Sequence, residues 1–302
     1  MTEKEKVAAI GTFDGLHRGH QAVLNKVKWL ARENQLLPVA VTFDRHPLAH
    51  INPERAPESI TSAAEKTRLI RAYGVSPEVY KFDEELRATT AAGWLQRMAE
   101  ELGVKILVAG YDNTFGSDGV TLSIEDYRKL GQKVGIEVVE APVVEGVSSS
   151  VIRKKLKAGE IEAANEMLGR SFVLSGHVGP GNRLGRTLGY PTANLRVAEG
   201  LLVPGAGVYA AMATLPDGKE LPAMVNIGVR PTLIKDGDIT VEAHLIGWEG
   251  DLYDKRLMLR FIKHMRGEEE FSTIDHLRLR LDKDREETLD ILKWNHDKFL
   301  NS

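Results

Sequence analysis

The first 168 residues of this 302-residue chain alternate short β-rich runs with longer amphipathic patterns, and that alternation limits the fold more than any other feature. Val7–Gly11, Val39–Phe43, Glu78–Phe82, Ile106–Gly110 and Glu137–Ala141 read as buried strands. His20–Glu33, Ala64–Tyr73, Ala91–Leu102 and Ile124–Val134 read as helices between them, and Val23, Leu24, Val27, Leu30 and Ala31 make one apolar stripe on the first. Strand–helix alternation of this kind predicts a doubly wound, Rossmann-like α/β domain with helices on both faces of a parallel sheet. Right-handed crossovers then gather the loops that follow the strands along one ligand-binding edge. Two further helices, near Ser150–Lys157 and Ile161–Leu168, are expected to close this half.

After Gly169 the pattern changes. Glycine and proline become frequent, and strand candidates come in series at Phe172–Val178, Val208–Leu215, Glu220–Ile227, Ile239–Ile246 and Arg256–Lys263. Such spacing predicts an antiparallel β-barrel. One long helix, Thr273–Phe299, follows, with Leu277, Leu281, Thr288, Leu289 and Leu292 available to pack on it. The expected domains are therefore 1–168 and 169–302, in keeping with the length. With 40 Lys+Arg against 43 Asp+Glu, no basic field invites nucleic acid or an anionic membrane. The absence of cysteine excludes disulfides, thiolate metal sites and a cysteine nucleophile. Apolar runs are too short to span a bilayer, and the first strand begins too early for a signal peptide. The expectation is a cytoplasmic protein, a monomer or weak homo-oligomer, with small-molecule partners.

Three segments carry candidate chemistry in the first half. Thr12-Phe13-Asp14-Gly15-Leu16-His17-Arg18-Gly19-His20 lies between the first strand and the first helix. A helix start there offers unpaired N–H groups to an anion, and Gly15 and Gly19 allow close backbone approach. His17 and His20 add side-chain donors. The plain alternative is a glycine turn with two surface histidines, but structural logic does not favour charged histidines at a helix N-terminus. Phe43-Asp44-Arg45-His46-Pro47 follows the second strand, and alone it reads equally well as a proline-bounded loop. Gly146-Val147-Ser148-Ser149-Ser150-Val151-Ile152-Arg153 opens a helix after the fifth strand. Its three hydroxyls suit both caps and phosphate, and Arg153 supplies a planar fork one turn in.

Together these motifs resemble the nucleotidyltransferases marked by HxGH and a serine-rich, arginine-containing helix start. Gly110-Tyr111-Asp112-Asn113-Thr114-Phe115-Gly116 is similar to a segment of the flavin adenylyltransferase module of bacterial bifunctional riboflavin kinase/FAD synthetases, with Asn113 and Thr114 departing from its usual residues. Asp44-Arg45 likewise departs from the Glu-Pro that usually precedes His46-Pro47 in that family. In the second half Gly176-His177-Val178-Gly179-Pro180-Gly181, Gly185-Arg186 and Pro191-Thr192-Ala193-Asn194 resemble the glycine-rich loop and PTAN motif of riboflavin kinases. As structure alone they would be barrel turns and a proline turn with a capping Asn. Asn226-Ile227-Gly228-Val229-Arg230-Pro231-Thr232, Val241-Glu242-Ala243-His244, Asp251-Leu252-Tyr253 and Arg266, Glu268 and Phe271 continue the kinase pattern, with Asp254 in place of its usual glycine. No Walker P-loop occurs.

The resemblance implies ATP-dependent phosphorylation of riboflavin to FMN by the second domain and adenylylation of FMN to FAD, with pyrophosphate release, by the first. It makes Glu242 the kinase base and gives His17, His20 and Arg153 to adenylyl transfer. Phe13, Gly15, Gly19, Ser148, Ser149, Ser150, Gly179, Gly181, Gly185, Arg186, Thr192 and Asn194 would hold ATP and its phosphates. His46, Asp112, Asn113, Phe115, Arg266 and Glu268 would hold flavin. Thr192 and Asn194, with the ATP phosphates, would hold Mg²⁺, an ion suited to hard oxygen ligands. Two alternatives remain open at this level: a kinase whose first domain has weakened, and a non-catalytic flavin-binding regulator.

Overall fold

The computed structural model describes residues 5–110, 115–181, 184–229 and 239–299, and the chain divides into two compact units, Met1–Ser149 and Ser150–Ser302. In the first, strands β1 (Lys6–Ile10), β2 (Leu37–Phe43), β3 (Ser76–Tyr80), β4 (Val104–Ala109) and β5 (Glu137–Glu140) form a parallel sheet in the order β3-β2-β1-β4-β5. The helices are α1 (Arg18–Glu33), α2 (Pro47–Ile51), α3 (Ala63–Ala72), α4 (Glu84–Ala88), α5 (Ala91–Glu100) and α6 (Ile124–Lys133). Alternate residues of β1 enter opposite cores, as a two-sided sheet requires. Ala8 and Ile10 join Trp94, Leu95 and Met98 of α5, while Val7 and Ala9 join Leu24 and Val27 of α1. The strand order reverses between β1 and β4, and the crevice of such a fold opens there.

The second unit begins with α7 (Ser149–Lys157) and α8 (Ile161–Leu168), at whose first turn the unit boundary falls. Next come β6 (Phe172–Gly179), a short α9 (Leu184–Thr187), β7 (Ala193–Val197), β8 (Gly207–Thr214), β9 (Glu220–Val229), β10 (Ile239–Leu245), β11 (Arg256–Arg266) and α10 (Ile274–Phe299). The six strands close an antiparallel barrel in the order β10-β7-β6-β11-β8-β9. Its interior is small and branched, with Ala211, Ala223, Val225, Val241 and Ala243 under Phe172, Tyr209 and Phe261. Outward-facing Met224, Asn226, Glu242 and His244 line a cavity with residues of α10 instead.

One expectation needs correction. Pro191–Asn194 is not simply a turn, because Ala193 and Asn194 begin β7, paired with β6 and β10. In addition, α8 packs on β6 and β11, and α7 from Ser150 onward falls in the second compact unit. The cause is specific. Asn165 on α8 accepts the Phe172 N–H at 2.6 Å and donates to the Phe261 carbonyl at 3.0 Å, while Gly205 N–H donates to the Leu156 carbonyl of α7 at 2.9 Å. Buried backbone groups left without such partners cost about 1–3 kcal/mol each. A 150–302 fragment should therefore resist urea better than a 169–302 fragment, by several kcal/mol; equal midpoints would show that α7 and α8 contribute nothing to the barrel.

Candidate functional site

In the first unit a cavity of about 320 Å³ opens at the β1/β4 reversal, lined by Thr12, Phe13, His17, His20, Gly110 and the segments around Pro142 and Ser148. The chain must turn from β1 into α1 within seven residues, and it does so under strain. Phe13 and Leu16 take left-handed backbone angles (φ 48° and 40°), an arrangement unfavourable for side chains bearing Cβ. Gly15, at φ 78°, sits so close to Ile60 that a Cβ would crowd it. The buried Asp14 carboxylate holds the turn, accepting the Ile60 and Thr61 N–H groups at 3.0 Å each and the Thr61 hydroxyl at 3.2 Å. Ser149 donates to the Asp14 carbonyl at 3.1 Å, bringing the later serine segment to the same loop.

His17 is the N-cap of α1: its Nδ1 accepts the His20 N–H at 3.3 Å, which places its own ring proton on Nε2. Its ring stacks on that of His20 at 3.6 Å, and Gly19 is required because a Cβ would lie about 3.0 Å from the His17 ring. Burial, reinforced by His17 and Lys66, holds the His20 imidazole well below the usual histidine range, so it is neutral at physiological pH. Its Nδ1 is buried and has no hydrogen-bond partner. Such an atom marks a place where a ligand or water completes the structure.

The remaining first-half residues fall in different places. His46 caps α2, accepting the Leu48 N–H at 3.2 Å, and does not line the cavity. Phe115 is a core residue, its ring tilted against that of Tyr127 at 4.5 Å, with its N–H and carbonyl both bound to the Tyr127 hydroxyl. Gly116 follows at φ 94° and abuts the backbone of Ala91. Ser150 and Arg153 lie on α7, whose residues from Ser150 onward belong to the second unit. Asp112 and Asn113 lie outside the described residues.

The second unit carries two cavities of about 340 Å³ that share Thr192. One lies between the outer face of β8–β10 and α10, with Glu242, Asn226, Arg266 and Glu268 among its lining. The other is bounded by Pro191, Trp248, Asp251 and Tyr253. Glu242 stands opposite Asn194 in the β10–β7 ladder, and the Thr192 hydroxyl donates to its carboxylate at 3.4 Å. The glycines have packing causes: a Cβ on Gly179 would meet the Arg196 side chain, on Gly181 the Asn194 amide, and on Gly185 the Tyr190 carbonyl. Arg186 has its side chain outside the described residues, as have Arg230, Pro231 and Thr232 altogether.

Helix α10 is fastened over the first of these cavities by charge. Arg266 meets Asp284 through Nε at 3.1 Å and Nη2 at 2.7 Å, and Asp284 is only 1 % exposed. Arg266 is thus committed to α10, while the Glu268 carboxylate rests against Gly228, where a Cβ would clash with it. The Tyr190 hydroxyl donates to Asp282, and burial with this bond pushes the phenol up to about 12. His244 Nδ1 bonds the Pro191 carbonyl at 2.9 Å, and burial lowers its pKa despite that bond. Sequence reasoning missed Asp14 as a buried anchor, Lys66, Tyr190, Asp282 and Asp284. The one local signal was Asp284 itself, a charge placed in the Leu277–Leu281–Thr288 stripe of α10.

Family comparison agrees with both halves. The FAD synthetase family model matches residues 1–155 and the riboflavin kinase model residues 168–292. Bifunctional riboflavin kinase/FMN adenylyltransferases are similar along nearly the whole chain. The Pseudomonas fluorescens protein is 35 % identical (92 % of this chain, 90 % of that one) and the Bacillus subtilis (strain 168) protein 31 % (95 % and 92 %). A crystal structure described as a macrolide-efflux protein from Streptococcus pneumoniae is 30 % identical and superposes with a TM-score of 0.86 over 95 % of both chains. Among the described residues no helix is long and apolar enough to cross a membrane. The chain belongs to the bifunctional riboflavin kinase/FMN adenylyltransferase family, ATP-using enzymes that make FMN from riboflavin and FAD from FMN.

Proposed function

We propose that the cavity beside His20 binds the ATP used in adenylyl transfer, and that the unpartnered Nδ1 of His20 carries this reading. The first turn of α1 aims its N–H groups at an anion, and Val143, Val144 and Val147 give the base an apolar wall. A neutral imidazole in an empty site incurs no cost of a buried charge. When a polyphosphate arrives, its charge favours protonation, so His20 donates most strongly as pyrophosphate develops charge. The FMN phosphate is already anionic and needs no protein nucleophile, which leaves alignment and charge neutralisation to His17, His20 and Arg153. Ser148, Ser149 and Ser150 complete the phosphate end. His46, Asp112 and Asn113 remain assigned to flavin, whereas Phe115 supports that segment from the core.

In the second unit Thr192 joins the two substrates. Riboflavin occupies the cavity under α10 and ATP the one beside Trp248, so the 5′-hydroxyl and the γ-phosphate meet at Thr192 and Glu242. Glu242 accepts the hydroxyl proton as general base. The donor set fits a hard cation: Thr192 Oγ1 and Asn194 Oδ1 are uncharged oxygens, and Gly181 leaves room for the Asn194 amide where any Cβ would displace it. Mg²⁺ held there with the ATP phosphates would neutralise charge on the transferring phosphoryl group. Gly179, Gly181, Gly185 and Arg186 flank the phosphates. Arg266 and Glu268 shape the flavin end, Arg266 by fixing α10. The adenylyltransferase is assigned to 1–168 and the kinase to 169–302, with α7 and α8 packed on the latter. The charge balance and the substrates suit a cytoplasmic enzyme, monomeric or weakly associated, that binds neither nucleic acid nor membrane.

Two substitutions separate the sites. His20→Ala should slow FAD formation from FMN by about 10²–10³-fold, the usual cost of one donor to developing charge, and leave riboflavin phosphorylation near normal. Undiminished FAD formation would remove His20 from the site. Glu242→Gln keeps the shape without the basic carboxylate, so ADP release with riboflavin should fall about 10²–10⁴-fold while FMN adenylylation persists. Near-normal ADP release would mean that another group takes the proton.

A further inference from the structure

Lys66 is 7 % exposed, and none of the assigned chemistry uses it. It projects from α3, whose start is capped by the Ser62 hydroxyl, into the gap where the chain leaves β1 and β2. There its ammonium donates to the Phe43 carbonyl at 2.7 Å and to the Thr12 carbonyl at 3.1 Å, and the Thr42 hydroxyl donates to Thr12 as well at 3.2 Å. Phe43 ends β2, and Thr12 lies two residues past β1, so their carbonyls have run off the parallel ladder. An ammonium with three donors can bridge both, which few other side chains can. A buried ammonium is costly unless it is partnered, so its presence here ties the site's conformation to its contacts.

We propose that Lys66 is a positioning residue of the adenylyltransferase, a buried cation that holds the strained Thr12–His20 loop in its ATP-binding conformation. The inference rests on the assignment of the neighbouring cavity to ATP. Thr12 and Phe13 both line that cavity, and Phe13 is the left-handed residue that meets the His20 ring edge-on at 5.3 Å. Burial lowers the Lys66 pKa to about 8, although Asp14 on the β1 loop and Asp44 on the β2 loop favour its charge. His20 on α1 feels that charge, and the neighbouring Glu65 on α3 is committed to Arg68 at 2.7 Å.

A loop freed to leave its binding conformation weakens ATP in proportion to the fraction of time it is away, without slowing the complex once formed. Lys66→Met should raise the KM for ATP in FMN adenylylation roughly 10- to 100-fold, the scale of one buried carbonyl, that of Phe43, left unpaired while Thr12 keeps the Thr42 hydroxyl, with kcat changed less than about threefold. The KM for ATP in riboflavin phosphorylation, measured on the same preparation, should not move. A fall in kcat at constant KM, or no effect, overturns the proposal. Should Lys66→Met fail to fold, the unmodified enzyme supplies the test. From about pH 7 to about pH 9 its adenylyltransferase KM for ATP should rise severalfold as the ammonium discharges, and Lys66→Arg, which stays charged, should abolish the rise. A flat KM overturns the proposal. His20→Ala run in parallel separates the two ideas: if it leaves FAD formation intact, the ATP assignment fails, whereas if it slows FAD formation and Lys66→Met does nothing, only the role of Lys66 fails.

Discussion

A charge removed from water must find its partners inside the protein, and both units are organised around one such requirement. In the first, Asp14 and Lys66 reach from the β1 loop and α3 to backbone groups that the sheet leaves unpaired. In the second, Arg266 and Asp284 tie the end of β11 to α10. In each case the ionic group lies beside a candidate cavity rather than in the hydrophobic core. The sheet and the barrel would exist without these charges. The shape of the loop that carries His20, and the seat of the helix that covers Glu242, would not.

The buried network also explains an arrangement that isolated preferences disfavour. Two histidines at a helix start oppose its dipole when charged, but here they are stacked, one serving as cap and the other held neutral by burial. The left-handed Phe13 and Leu16 are costly by themselves, and they persist because Asp14 and Thr61 fix the turn between them.

All five parallel strands and the four long helices of the first unit were legible in the sequence, because their signals are local: a short β-rich apolar run for a strand covered on both faces, a period of 3.6 for a helix. So were five of the six barrel strands. The sixth, β7, hid behind Pro191 and Thr192, whose turn chemistry is real but ends two residues earlier than local rules imply. The partner of α8 was not legible either. Its stripe of Ile161, Ala164 and Leu168 says that one face is buried, but not against which sheet. The motif residues could be read at the N-terminal site, whereas Lys66 could not: its acceptors lie 23 and 54 residues away, and nothing in Ala63–Ala72 distinguishes it from a solvated lysine. Glycines are the intermediate case. Gly179 and Gly181 were legible as a motif, but the reason for them is the crossing of Arg196 and Asn194 from β7.

On the proposed assignment of the sites, each unit meets the same cosubstrate by a different physical route, and the difference follows from the fold. A parallel sheet supplies helix starts, so the proposed phosphate site of the first unit is the turn into α1, with the neutral His20 ring beside it. The antiparallel barrel works through its strands instead. It brings strands close enough for uncharged oxygens to converge, as Thr192, Asn194 and Glu242 do across β7 and β10. Adenylyl transfer needs only alignment of two anions, whereas phosphorylation of a neutral hydroxyl needs a base as well. The proposed base, Glu242, accordingly sits on the barrel, where the strand register sets it against the threonine at the junction of the two cavities. In the first unit a carboxylate facing the phosphates would repel them, and there Asp14 is turned onto the Ile60 and Thr61 amides instead.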